Sequence, residues 1–293
     1  MRDDTVLQAI STELAGLIEA TASRIVGVHG ARRRGSSGII WGPGAVVTAE
    51  EPISDEDDLR LTLPDGSTVP ASLAGRDPGT DIAVLRADMP NAPAAPVTSA
   101  NLDAGALALA VGRRNCVATA RMGIISESDE AWQSMRGGRL DRLLRLDLAL
   151  DPVAEGGAVV DATGALIGMA VFGPRGRVLA IPAETIGRIA PRILAEGTLG
   201  RGYLGLGLHP VPGGAAGEPG VIIISLDPDG PGAKAGVLVG DVIVAWNGEP
   251  IRRLRDIFQR LGSESAGTDV TLALVRAGTR TEVTLHVGRR PRR

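Results

Sequence analysis

Between Ile25 and Pro182 the apolar positions fall in short runs separated by Gly, Pro, Asp and Asn, with almost no helical period. About a dozen such runs, among them RIVGV, GIIWG, GAVVTA, IAVLRA, ALALAVG, LLRLDLAL, ALIGMAVF and RVLAIP, read as strands of an all-β domain of one or two barrels. LPDGS at Leu63–Ser67 is a hairpin signal. Before this region Leu7, Ile10, Leu14, Leu17 and Ile18 recur at helical spacing, which predicts an amphipathic helix that packs on the barrels or joins another chain. AETIGRIAPRILAEG predicts a second helix closing the domain near Gly197.

The pattern changes after that. VIIISL, VLVGDVIVAWNGEPI, the helical RRLRDIFQRLG, and the alternating VTLALVRAG and RTEVTLHVG predict a compact α+β module. The expected organisation is an N-terminal helix over 1–24, a β-barrel domain over 25–197, the α+β module over 198–288 and a basic tail over 289–293.

Composition adjusts this picture in few places. The chain has 293 residues, 44% of them hydrophobic but only 2% aromatic, so its cores are aliphatic. A net charge of −3 gives no case for nucleic-acid binding. Cys116 is the only cysteine, so no internal disulfide can form. The start carries acids rather than a basic, apolar leader, and no run approaches the roughly 18 apolar residues of a membrane helix. A cytoplasmic protein without membrane contact is the expectation.

ALDPVAEGGAVVDATGALIG, Ala149–Gly168, has the form of a tight glycine loop entering a buried strand. With GRDPGTDIAVLRA, LDAGALALAVG, RMGIIS, RVLAIPAETI, RGYLGLGL and AKAGVLVGDVIVAWNGEPI, in that order, it resembles the HtrA/DegP family. The resemblance implies a chymotrypsin/trypsin-like double β-barrel followed by an α+β PDZ domain.

The resemblance also implies where a catalytic triad would stand. Asp81 takes the aspartate position, but Glu51 stands in place of the histidine and Glu155 in place of the serine. Val153 replaces the glycine of the oxyanion hole, and Ala154 precedes the nucleophile position. A glutamate with a pKa near 4.3 is a weak base at neutral pH and a poor nucleophile toward an amide. The expectation is a catalytically degenerate protein. Glu51, Asp81 and Glu155 would converge, which leaves three readings: a cleft open to water, one neutralised by Arg113, Arg114 or Arg145, or a Ca²⁺ or Mg²⁺ site. No cofactor is otherwise expected.

In the PDZ module the resemblance makes Tyr203, Leu204, Gly205 and Leu206 the loop whose amides receive a peptide carboxylate. The strand Leu206–Leu208 would add a peptide strand, and Ile257 and Leu261 would line a side-chain pocket. The leading reading is a scaffold binding C-terminal or extended segments of partner proteins. The alternatives are an endopeptidase with unorthodox residues and a structural subunit of a larger complex. The family often trimerises through aromatic residues near the N-terminus. No Phe, Tyr or Trp precedes Trp41, so a trimer is not assured and another homo-oligomer through the first helix is as plausible.

Overall fold

The computed structural model describes residues 5–30, 35–53, 58–89, 93, 102–215 and 218–289, with backbone alone at 212–215 and 218. The arginine loop 32–34 and most of the basic tail lie outside the described residues. Two compact units divide the chain, one of residues 1–132 and 140–199 and one of 133–139 and 200–293.

The first unit opens with α1 (Val6–Ala22) and holds two closed antiparallel barrels. The first barrel comprises β1 (Ile25–His29), β2 (Ser36–Gly42), β3 (Ala45–Ala49), β4 (Arg60–Thr62), β5 (Thr68–Asp77) and β6 (Ile82–Ala87), in the order β1-β2-β3-β6-β5-β4. After β7 (Leu107–Arg114) and β8 (Val117–Asp129) comes a short hairpin, β9 (Trp132–Gln133) and β10 (Arg139–Leu140). Then follow β11 (Leu143–Asp147), β12 (Ala158–Val160), β13 (Leu166–Phe172) and β14 (Val178–Pro182). The second barrel closes as β11-β14-β13-β12-β7-β8. The dozen runs read from the sequence account for the twelve barrel strands.

Local chemistry fixes these elements. β-branched Val and Ile fill the barrel cores, where Ile25, Ile39, Val47, Val84, Val111 and Val159 are essentially inaccessible to water. At the predicted hairpin the Asp65 carboxylate accepts the Ser67 amide (2.8 Å) and hydroxyl (2.6 Å), an Asx turn that joins β4 to β5. α2 (Ala183–Glu196) buries Ile186, Ile189, Ala190 and Ile193 and ends at Gly197.

α1 packs only in part. Leu14 and Leu17 lie on the barrel core and Thr21 and Ala22 are buried, whereas Val6, Leu7 and Ile10 are exposed. Its C-terminal end is held by Arg113, a buried side chain that donates to the carbonyls of Ala22 (2.6 Å), Ile25 (2.6 Å) and Cys116 (3.1 Å). A guanidinium there meets the helix end whose carbonyls lack partners.

In the second unit β15 (Gly202–Tyr203) pairs with β22 (Gly288–Arg289) beside a main sheet. That sheet runs β16-β17-β18-β20-β21, from β16 (Leu206–Ala215), β17 (Glu218–Leu226), β18 (Val242–Trp246), β20 (Asp269–Arg276) and β21 (Thr279–His286), with β19 (Glu249–Pro250) paired to β18. Two short helices complete it, α3 (Pro231–Lys234) and α4 (Leu254–Arg260). The core is aliphatic around Trp246. Asp241, 1% exposed, is satisfied by the Leu238 amide and by two hydrogen bonds of 2.8 Å from Arg276.

Candidate functional site

The first site lies where the loop Asp151–Gly157 of the second barrel meets β2 and β3 of the first. Asp81 leads into β6 with φ +58, a conformation that aspartate tolerates better than most residues. Its Oδ1 accepts the amides of Glu50 (3.0 Å) and Glu51 (2.9 Å) just after β3. Burial pushes the Asp81 carboxyl up to about 7; the Glu51 amide opposes this and the charges of Glu155, Glu50 and Glu51 add to it. The structure therefore gathers Glu51, Asp81 and Glu155 electrostatically, and Asp81 contacts Glu51 through its backbone.

The arginine reading of how this charge is balanced needs correction. Arg113 serves backbone carbonyls, Arg114 pairs with Asp151 at 2.8 Å and Arg145 pairs with Glu127. A cation does reach the cluster: Arg76 donates to Glu50 Oε1 (3.0 Å) and to the Ile53 carbonyl (3.1 Å). Among the described residues no group of three or more His, Cys, Asp or Glu side chains is placed to hold a metal ion.

The loop itself is a single 3-10 turn, Pro152–Ala154. Asp151 caps it, its Oδ1 accepting the Val153 amide at 3.1 Å, and Pro152 starts it with the fixed φ that helices favour. The Glu155 amide donates back to the Pro152 carbonyl at 3.4 Å. By the resemblance these two amides, of Val153 and Glu155, are the ones that would point at an oxyanion. Both are engaged within the turn.

β2 holds the turn from the other barrel. The Ser37 hydroxyl donates to the Val153 carbonyl (2.6 Å) and accepts the Arg113 amide (2.8 Å), and the Ser37 amide donates to the Glu155 carbonyl (2.8 Å). Gly156, with φ +81, follows against β2, where a Cβ would clash with the Ser37 carbonyl. The Glu155 carboxylate accepts the Phe172 amide at 3.4 Å.

No histidine serves this cleft among the described residues. His29 meets the Thr62 hydroxyl at 2.9 Å and is half-buried, which lowers its pKa. His209 is exposed on β16, and His286 pairs with Asp269 at 2.8 Å. Cys116 is exposed in the β7–β8 turn.

The second site is a groove of about 280 Å³ in the PDZ unit, lined by Arg201–Leu206, Leu208, Phe258 and Leu261. Gly205, at φ +72, brings the loop within 2.9 Å of Gly230 as measured from a would-be Cβ, which excludes a larger residue. The Tyr203 hydroxyl donates to Asp227 Oδ2 at 2.7 Å and anchors the loop. β16 is the outer strand of the sheet and pairs on one side with β17, so its other edge borders the groove. One assignment changes. Ile257 is fully buried in the PDZ core, and the helix presents Phe258, 43% exposed, to the groove.

These features correspond to known families. Residues 36–169 match a trypsin-like peptidase domain and residues 202–287 a PDZ domain. The chain is an HtrA-like protein, with a trypsin-like double barrel followed by a PDZ domain. It is 31% identical over 274 residues to the "Probable periplasmic serine endoprotease DegP-like" of Brucella suis, covering 88% of this chain and 53% of that one. Protease Do-like 1, chloroplastic, of Arabidopsis thaliana is 29% identical over 279 residues, covering 87% and 64%. The chain thus spans about half to two thirds of the length of these relatives.

Among solved structures, the HtrA-type protease AlgW with decapeptide superposes with a TM-score of 0.74 at 25% identity, covering 95% of this chain and 99% of that one. The serine endoprotease from Yersinia pestis gives 0.74 at 26%, covering 94% and 98%. The cytoplasmic expectation is overturned by the relatives, several of which are named periplasmic. That expectation rested on the first residues, whose composition does not report where a homologous fold works.

Proposed function

We propose that this chain binds peptide segments of other proteins through its PDZ groove and performs no serine-type proteolysis. The observation carrying this reading is the Asp151–Glu155 turn. It has no hydroxyl at the nucleophile position, and its two candidate oxyanion amides are committed to Asp151 and Pro152. Loss of triad members alone can leave roughly 10³–10⁴-fold over water when the oxyanion hole persists. Here the hole is occupied as well.

The peptide-binding half rests on the PDZ domain match, the groove beside an outer strand, and the neighbour described with a decapeptide. The periplasmic naming of the relatives favours action outside the cytoplasm. Their naming as serine endoproteases favours a second reading, turnover by unorthodox residues.

Incubation with casein separates the two, run beside the Glu51→His/Val153→Gly/Glu155→Ser variant. The expected result is no cleavage by the native chain. Cleavage that Glu155→Ala abolishes would overturn the proposal and make the carboxylates the catalytic groups.

A further inference from the structure

A second cavity of about 280 Å³ lies within the barrel unit, between the C-terminal half of α1 and the β12–β13 hairpin. Leu17, Ile25, Ile39, Val160 and Leu166 make most of its wall apolar, and Arg24 forms the charged part. Neither the triad cleft nor the PDZ groove shares a residue with it.

The chemistry of its rim is specific. The hydroxyls around it already have acceptors: Thr21 donates to the Leu17 carbonyl (2.7 Å), Ser23 to the Ala20 carbonyl (2.6 Å) and Thr163 to Asp161 Oδ1 (2.7 Å). The Asp161 carboxylate also accepts the amides of Thr163 and Ala165 and is satisfied inside its own turn. Arg24 differs. Its Nε is buried without a hydrogen-bond partner, and its guanidinium has no ion pair among the described residues.

We propose that this cavity binds a small monocarboxylate with an aliphatic body, the carboxylate accepting from Arg24 and the tail lying against Leu17, Ile39 and Val160. One guanidinium balances one negative charge and matches a carboxylate in bidentate geometry. A phosphate dianion would leave uncompensated charge against an apolar wall. The space, about 280 Å³, admits a short aliphatic chain.

The probe is sodium octanoate, with 1-octanol as its uncharged counterpart, titrated into the full chain and followed by methyl NMR. The expected result is saturable octanoate binding, Kd near or below about 1 mM, that shifts the methyls of Leu17, Ile25 and Ile39. Octanol should bind at least tenfold more weakly. Arg24→Met should abolish this preference, and Ala20→Leu, at an exposed helix position lining the cavity, should weaken both ligands while leaving the fold intact. No shift of those methyls would overturn the proposal, as would shifts confined to Leu204 and Leu206 of the PDZ groove, or an octanoate preference that survives Arg24→Met.

Discussion

Asp151 Oδ1 lies 3.1 Å from the Val153 amide nitrogen and accepts its hydrogen. The same carboxylate pairs through Oδ2 with Arg114 at 2.8 Å, so the acceptor is itself held in place. An oxyanion could reach that amide only by displacing a charged competitor already in position.

Restoring the family residues alone is therefore insufficient. The Glu51→His/Val153→Gly/Glu155→Ser variant is expected to cleave casein weakly if at all. Adding Asp151→Ala, which frees the amide of residue 153, should raise the rate at least tenfold, since one oxyanion donor is commonly worth about 10²–10³ in kcat. Equal rates for the triple and quadruple variants would show that the amide of residue 153 does not limit the reaction.

The partly buried Asp81 carboxyl makes a pH-dependent contribution of unusual sign. Its folded pKa, about 7, lies above the ordinary aspartate value, so the folded state holds this proton more tightly. Stability from this group is full below about pH 4 and declines as pH rises toward 7. The full displacement would correspond to at most about 4 kcal/mol, and residual access to water reduces this to about 1–3 kcal/mol. Asp81→Asn keeps an oxygen for the Glu50 and Glu51 amides and removes the charge. It should unfold at a higher denaturant concentration than the native chain at pH 7.5 and match it near pH 4.

Asp241 behaves in the opposite sense. Hydrogen bonds from Arg276 hold its carboxyl below the usual range, against the effect of burial. Its contribution is present above the unfolded aspartate pKa of about 4 and is lost as pH falls through the lower folded value. Asp241→Asn should lower the thermal midpoint of the PDZ unit at pH 7, and calorimetry should show the gap narrowing in acid.

Phe258 and Ile257 are neighbours with separable roles. Phe258→Ala should weaken a hydrophobic C-terminal peptide at least fivefold in fluorescence polarisation, with stability changed by no more than about 1 kcal/mol. Ile257→Ala should cost about 2–4 kcal/mol of stability through the cavity it leaves, with peptide affinity little changed where the domain stays folded. Blocking the peptide's carboxylate as an amide should weaken binding at least tenfold, because the loop after Tyr203 offers backbone donors to a charge.

Much of the fold was legible because each barrel strand is a short aliphatic run with a turn residue at each end, as at LPDGS. The PDZ strands announced themselves by alternation in the same way. The α4 assignment failed by one residue because Ile257 and Phe258 are both apolar, and four-residue spacing on a two-turn helix does not say which face meets the core. α1 misled differently: its apolar stripe runs the length of the helix, but Val6, Leu7 and Ile10 at its start are exposed and only its later turns reach the barrel. The turn at Asp151 had a readable signal, an Asp-Pro pair that caps and starts a helix. Ser37 and Arg76 had none. Their contacts to the site run to partners more than twenty residues away in sequence.

Ser37 has a wider consequence. One serine of the first barrel bonds two carbonyls of the second-barrel loop and receives an amide from β7, while its own carbonyl accepts the Thr48 hydroxyl at 2.7 Å. The loop is thereby stitched into the seam between the barrels and cannot be rearranged on its own. The amides of Ser37 and Arg113 should exchange with solvent only when the whole unit opens. Any future gain of chemistry at residue 155 would have to be bought by loosening the joint that makes two barrels one domain.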